Sequence, residues 1–168
     1  MKVTYSDLKN KRVFISGGGS GIGATIVEYF CEQKSEVYFV DINIKETNRL
    51  LKKIKKKGFK IPKFIECNIL DIKKLQNIIK DIISKKGAIH CLINSAANDD
   101  RHTTEQVDEK YWANRMGINL KHYFFAAQAV VKGMKKIKSG SIVNLSSVSW
   151  MLGEGDKVVY ETAKSAVV

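Results

Sequence analysis

Tyr160 and Lys164 stand four residues apart, and Ser147 lies thirteen residues before the tyrosine. If the chain from Tyr160 onward is helical, positions i and i+4 share one face, and a phenol and an ammonium meet one turn apart. A free phenol, with a pKa near ~10, is a poor base at neutral pH, and an adjacent ammonium favours the phenolate. Bringing such a phenol close to neutrality requires about 4 kcal/mol of differential interaction. One close lysine and a second cation nearby supply interaction of that kind. The pair therefore suits proton transfer to or from an alcohol or carbonyl oxygen. A serine hydroxyl such as that of Ser147, at the end of a strand, suits charge developing on the same oxygen.

A second constellation lies near the start of the chain, in Ser16-Gly17-Gly18-Gly19-Ser20-Gly21-Ile22-Gly23. It joins a predicted strand to a predicted helix, the setting in which a glycine turn binds a dinucleotide. The glycines permit a tight turn, let a pyrophosphate approach the backbone and let the helix pack close to the strand. The helix start then offers N–H groups to the phosphates. Gly17, Ser20, Gly21, Ile22 and Gly23 are the candidate contacts. Asp41 closes the next predicted strand, 18 residues after Gly23. A carboxylate there accepts hydrogen bonds from ribose hydroxyls and repels a 2′-phosphate, and neither Ser20 nor Ile42 is basic, so NAD is expected rather than NADP.

The elements that must position these groups follow from the apolar pattern. Strands are predicted at 13–15, 36–40, 61–67, 88–93 and 140–145, with Pro62 tolerated at the start of the third. Helices are predicted at 22–34, 44–57, 71–86 with Asp71 as N-cap, 108–136 as one long stretch, and from Tyr160 onward. A polar loop is expected from Ser95 to about Gln106. Strict alternation, with strands apolar on both faces, predicts an α/β, doubly wound parallel sheet, the Rossmann fold, in one domain over 1–168. Five strands are counted where the reference order has about six, so the fold reads as incomplete at the C-terminus, with the chain ending inside its last helix.

Composition narrows the function classes. Hydrophobic residues make up 44% and charged residues 27%, as in a globular domain. No apolar run approaches the ~20 residues that span a membrane, and Met1 to Asp7 lack the apolar stretch of a secretory leader. The net charge of +12 is carried almost entirely by lysine. Arginine, the residue of bidentate phosphate and base contacts, is scarce, which argues against a nucleic-acid partner. The Lys52 to Lys57 cluster reads as the solvated face of a helix that buries Ile44, Leu50, Leu51 and Ile54. Three cysteines, Cys31, Cys67 and Cys91, lie far apart. They read as reduced thiols of a cytoplasmic protein, and no cluster suggests a metal.

Taken together, the motifs resemble the short-chain dehydrogenase/reductase family along essentially the whole chain. SGGGSGIG is similar to the family's TGxxxGxG turn, with Ser16 for the usual threonine. Asn94-Ser95-Ala96-Ala97 stands where the family has NNAG, losing one amide and the final glycine. Gly117-Ile118-Asn119-Leu120 resembles the segment with the active-site asparagine. Ile142 to Ser147 resembles the strand leading to the catalytic serine, and Tyr160 with Lys164 matches YxxxK. The resemblance implies Tyr160 as general acid and base, Lys164 as its activator and a ribose ligand, Ser147 on the reacting oxygen, and Asn119 as anchor of a water relay. It also implies cofactor contacts from Asn68, Ile69, Asn94 and Ala96, and a full-length form that is longer and homo-oligomeric.

Ala96-Ala97-Asn98-Asp99-Asp100-Arg101-His102 and Ser147-Val148-Ser149-Trp150 resemble the sugar-oxidising branch. Asn98, Ser149 and Trp150 are the candidate substrate contacts, with Trp150 suited to stacking on a pyranose. His102 is expected to be a solvated loop residue. The leading expectation is hydride transfer between NAD and the CH–OH group of a sugar or related alcohol. The alternatives are a 3-oxoacyl-type carbonyl reductase, a non-catalytic nucleotide-binding remnant and, favoured only by net charge, a nucleic-acid-binding protein.

Overall fold

Val13, Phe14 and Ile15 are each fully buried, as a strand at the centre of a sheet covered on both faces must be. The computed structural model describes residues 3–168; Met1 and Lys2, the start of the segment inspected for a leader, lie outside the described residues. Among the described residues, five strands form a parallel sheet: β1 (Arg12–Ser16), β2 (Glu36–Asp41), β3 (Lys63–Glu66), β4 (Cys91–Asn94) and β5 (Ser141–Asn144). Their spatial order is β3-β2-β1-β4-β5. Val13 pairs with Val37 on one side and with Cys91 on the other. The order reverses between β1 and β4, so ligands are expected outside the C-terminal ends of those strands.

Alternate residues of β1 feed two cores. Phe14 joins Leu75, Ile79, Leu92 and Val130, beneath α3 (Ile72–Lys86) and α5 (His122–Lys136). Val13 and Ile15 join Val27, Phe39, Leu50 and Ile54, beneath α1 (Gly21–Glu32) and α2 (Ile44–Lys56). Asp71 caps α3, accepting from Lys74 N at 2.9 Å, as expected from the sequence. The α2 lysines lie on the solvated face, and Lys53 and Lys57 both pair with Glu28 of α1. Ile44 is exposed rather than inward, and Thr47 takes the buried position.

Several boundaries differ from the sequence-based expectation. Residues 88–90 are not strand: Arg12 Nε donates to the Ala88 carbonyl and Arg12 N to His90 Nδ1, while His90 N still donates to the Arg12 carbonyl at 2.8 Å. The long helix is interrupted. After α4 (Glu109–Met116), residues Gly117–Lys121 form a π turn before α5 begins. Such turns insert one residue and shift the apolar phase too little to be seen in a 3.6-residue pattern. A short helix, α6 (Ser149–Leu152), was not expected, and it is closed by Gly153 at φ +67°. The last helix, α7, spans Val158–Ser165, so it begins two residues before Tyr160.

β5 is the outer strand, and all four of its residues are exposed, contrary to the buried strand its apolar sequence suggests. Among the described residues no strand pairs with its far side. The three cysteines are free thiols, and burial pushes all three up in pKa, Cys31 to about 12. No helix of the described residues is long and apolar enough to cross a membrane.

Candidate active site

The glycine turn leaves β1 and is held by the end of β2. Gly17 N and Gly18 N donate to the Val40 carbonyl at 2.8 and 3.2 Å, and Gly19 N donates to Asp41 Oδ2 at 2.7 Å. Gly17 has φ +71°, and a Cβ there would stand 2.6 Å from Ala96 Cα. A Cβ on Gly23 would stand 1.8 Å from the Gly17 carbonyl oxygen. The turn therefore folds onto itself with no room for side chains at Gly17 and Gly23, bringing Gly17 beside Ala96. Ser20 provides no side-chain cap to α1, so Gly21, Ile22 and Gly23 begin the helix with N–H groups lacking intrahelical acceptors. Ser20, Gly21 and Ile22 are exposed, and the Cβ direction of Gly21 meets open space. An anionic group can reach these amides, so the turn fits a dinucleotide pyrophosphate.

Asp41 sits at the strand end next to this surface, accepting from Asn43 N at 2.8 Å with its other oxygen. The Asn68 side chain is turned inward to its own loop, where it accepts from Leu70 N at 3.0 Å; the residue is exposed, and Ile69 beside it is half-buried. Asn94 is fully buried, donating to Asn144 Oδ1 at 2.8 Å and to the Tyr123 carbonyl at 3.3 Å. Its amide thus joins β4 to β5 and α5. The Ser16 hydroxyl accepts from Ser95 N and Ala96 N and contacts His122 Nε2 at 3.2 Å. Burial lowers the His122 pKa to about 3, so the ring is neutral.

Lys164 lies within reach of Tyr160, on the same side, with Nζ 5.7 Å from the phenol ring centroid. The ammonium is 1% exposed. It donates to Tyr123 Oη at 2.8 Å and to the Leu145 carbonyl at 2.6 Å. Tyr123 in turn donates to the Leu145 carbonyl at 3.1 Å. Burial, and then the nearby Tyr160, push the Tyr123 phenol up, so it stays neutral beside the lysine. Tyr123 lies outside the motifs singled out in the sequence. Its position four residues after Asn119, on the same helical face, is the one signal that could have marked it. Ser146 Oγ donates to the Lys164 carbonyl at 2.7 Å, tying the end of β5 to α7.

Burial lowers the Lys164 pKa from 10.5 to about 8. Between those values the unfolded chain binds more protons than the folded one, so stability from this group rises with pH across the window and is at its lowest below about pH 8. Denaturant unfolding at pH 8 and pH 10 is expected to show the wild type gaining on Lys164→Met as the pH rises. A difference between the two that stays constant would contradict the buried-ammonium account.

Of the remaining candidates, Asn98 and Asn119 meet at the strap from residue 96 to residue 102. Asn119, fully buried in the π turn, accepts from Asn98 N at 2.8 Å and donates to Asn98 O at 2.9 Å. The amide assigned to a water relay by resemblance is thus engaged with the strap backbone. Ser147 Oγ lies 2.8 Å from Ser149 Oγ, and Ser149 is buried while Trp150 is half-buried at the start of α6. His102 is 6% exposed, so the expectation of a solvated loop histidine is corrected. Asp100 pairs with Arg115 of α4 and Arg101 with Asp156 ahead of α7, so the strap is anchored at both sides rather than loose. Among the described residues no group of three or more His, Cys, Asp or Glu could hold a metal ion.

Comparison with known proteins supports the same reading. The family profile of the short chain dehydrogenases matches residues 11–168. D-xylose 1-dehydrogenase of Caulobacter vibrioides is 40% identical over 164 residues, covering 97% of this chain and 64% of that protein. A Rhizobium meliloti protein named "Probable galactose dehydrogenase" is 36% identical, covering 98% of this chain and 64% of its own length. The ligand-free aldohexose dehydrogenase of Thermoplasma acidophilum superposes with a TM-score of 0.83 at 28% identity, over 97% of this chain and 59% of that one. The chain thus spans less than two thirds of the length of each of these relatives.

Proposed function

The chain belongs to the short-chain dehydrogenase family, and from that premise we propose that it transfers hydride between NAD and the CH–OH group of an aldose or related polyol. The observation that carries the proposal is the convergence of Tyr160, Lys164 and the Ser147 segment at the C-terminal end of the sheet, beside a glycine turn that fits a pyrophosphate. Bound nicotinamide supplies the hydride acceptor in oxidation and the hydride donor in reduction. The protein supplies proton transfer and placement.

In oxidation, Tyr160 Oη takes the proton of the substrate hydroxyl, and in reduction it returns one to the carbonyl oxygen. Lys164, with its amine near the phenol, can turn its remaining donor toward a ribose hydroxyl. Ser147 Oγ donates to the reacting oxygen, and its partner Ser149 keeps that hydroxyl in place. Asn119 holds Asn98 and, through it, the strap along the substrate side. Trp150 and Asn98 are suited to the apolar face and hydroxyls of a sugar.

Asp41 supports NAD over NADP, because a carboxylate at the end of β2 accepts from ribose hydroxyls and repels a 2′-phosphate. It also weighs against the 3-oxoacyl reductase alternative, whose members generally prefer NADPH. Asp41→Asn keeps the acceptor for Gly19 N but removes the charge. It is expected to weaken NAD binding by about 10- to 100-fold, since a charge-assisted hydrogen bond is worth ~1.5–3 kcal/mol, and to improve NADP binding. Titration of intrinsic fluorescence with each dinucleotide measures both. An unchanged NAD to NADP ratio would remove Asp41 from the site.

Initial rates with NAD and a panel of aldoses, against matching 3-oxoacyl thioesters with NADPH, test the substrate class. Turnover only on the thioesters, or NAD binding without turnover on any alcohol, overturns the proposal. The free thiols suit a reducing compartment, and we place the protein in the cytoplasm. Trp112 and Phe124, exposed on α4 and α5, support homo-oligomerisation.

A further inference from the structure

Tyr160 lies on α7, an eight-residue helix whose N-cap position, Lys157, provides no side-chain hydrogen bond. The first N–H groups of a helix have no intrahelical acceptor, and in a buried setting something else must supply one. Val159 is 1% exposed, and its N–H donates to Nε2 of His102 at 3.3 Å. Because that N–H donates, Nε2 must present a lone pair, and the ring proton of the neutral imidazole sits on Nδ1. Nδ1 faces two oxygens, Tyr111 Oη at 2.9 Å and the Asp100 carbonyl at 3.1 Å. The Tyr111 ring packs against the imidazole with centroids 4.9 Å apart, which fixes its plane.

The charged groups nearby are already matched with one another. Asp100 pairs with Arg115, Arg101 with Asp156, and Lys157 with Glu154. Among the described residues no carboxylate bonds the imidazole. His102 N also donates to the Asp156 carbonyl at 2.7 Å, so strap and helix start are joined at two points.

The geometry points to His102 as a positioning residue: as the Nδ1–H tautomer it caps α7 through Val159 and so holds the start of the helix that carries Tyr160, the next residue, on the strap. The catalytic meaning rests on the reading of Tyr160 as the proton-transfer group, while the cap itself does not.

The tautomer is measured on the wild type by 15N correlation spectroscopy of the histidine rings, where Nε2 of His102 is expected at the shift of an unprotonated nitrogen. Amide exchange of Val159 is expected to speed up about tenfold or more in His102→Leu, which fills the space without an acceptor, and the Tyr160 ring resonances are expected to move. His102→Gln, whose Oε1 reaches the place of Nε2, is expected to restore both. A protonated Nε2, or a leucine variant with unchanged Val159 exchange and Tyr160 signals, overturns the inference. None of these readouts involves turnover. Failure of the dehydrogenase reading would show separately, as a wild type inactive with NAD and sugars.

Discussion

Tyr160→Phe is expected to lower kcat by about 10²–10⁴-fold, the usual contribution of a positioned general acid or base, while NAD affinity changes by no more than about threefold. The hydroxyl is the one group on α7 proposed to exchange a proton with substrate, and its loss leaves the glycine turn and Asp41 intact. The helix should keep its fold, because the phenylalanine ring retains the face over which Lys164 Nζ sits at 5.7 Å. Steady-state kinetics with the best aldose, paired with dinucleotide titration, separates the two effects. If turnover survives within tenfold, proton transfer belongs to another group. Tyr123 is then the candidate to examine, since it holds the lysine directly.

Gly23→Ala should damage fold and cofactor site together. Its Cβ would meet the Gly17 carbonyl at 1.8 Å, a backbone atom that cannot rotate away. The turn would have to open, and with it the contact of Gly17 with Ala96 and the hold of Val40 on Gly17 N. Overpacking a well-filled site costs about 1–3 kcal/mol and sometimes more, and a backbone clash this close belongs at the upper end. For a domain of this size that corresponds to a fall in Tm on the order of 6–12 °C. NAD affinity is expected to drop by at least about tenfold, because the phosphate-facing amides of α1 move with the turn. Gly155→Ala, with nothing within 4 Å of its Cβ, serves as control and should stay within about 0.5 kcal/mol of wild type. A Gly23→Ala protein with wild-type Tm and NAD affinity would mean that the turn is looser than its geometry states.

The two variants address different halves of the site. Gly23 belongs to the strand end that receives the dinucleotide, and Tyr160 to the helix that meets the reacting oxygen. Between them run the strap and the π turn, whose Asn98–Asn119 bonds hold the two halves in one arrangement.

Much of this was legible in the amino-acid order, because it depends on short-range patterns. Val13 to Ile15 announces a strand buried on both faces, Asp71 announces a helix start, and the glycine spacing from Gly17 to Gly23 announces a turn that excludes side chains. Tyr160 and Lys164 share a helical face whatever the rest of the chain does. Tertiary structure alone decided which groups meet across long separations. Lys164 could have turned to solvent; burial at the end of β5 sends it to Tyr123, 41 residues earlier. His102 carried no pattern that distinguished it from a loop residue, since its side-chain partners Tyr111 and Val159 come from two separate helices later in the chain. The π turn escaped because one inserted residue hardly disturbs the apolar phase, while its consequence, burial of Asn119 against the strap, depends on a segment twenty-one residues away. Local periodicity records what a residue contributes to its own element, and only packing records what it does for another.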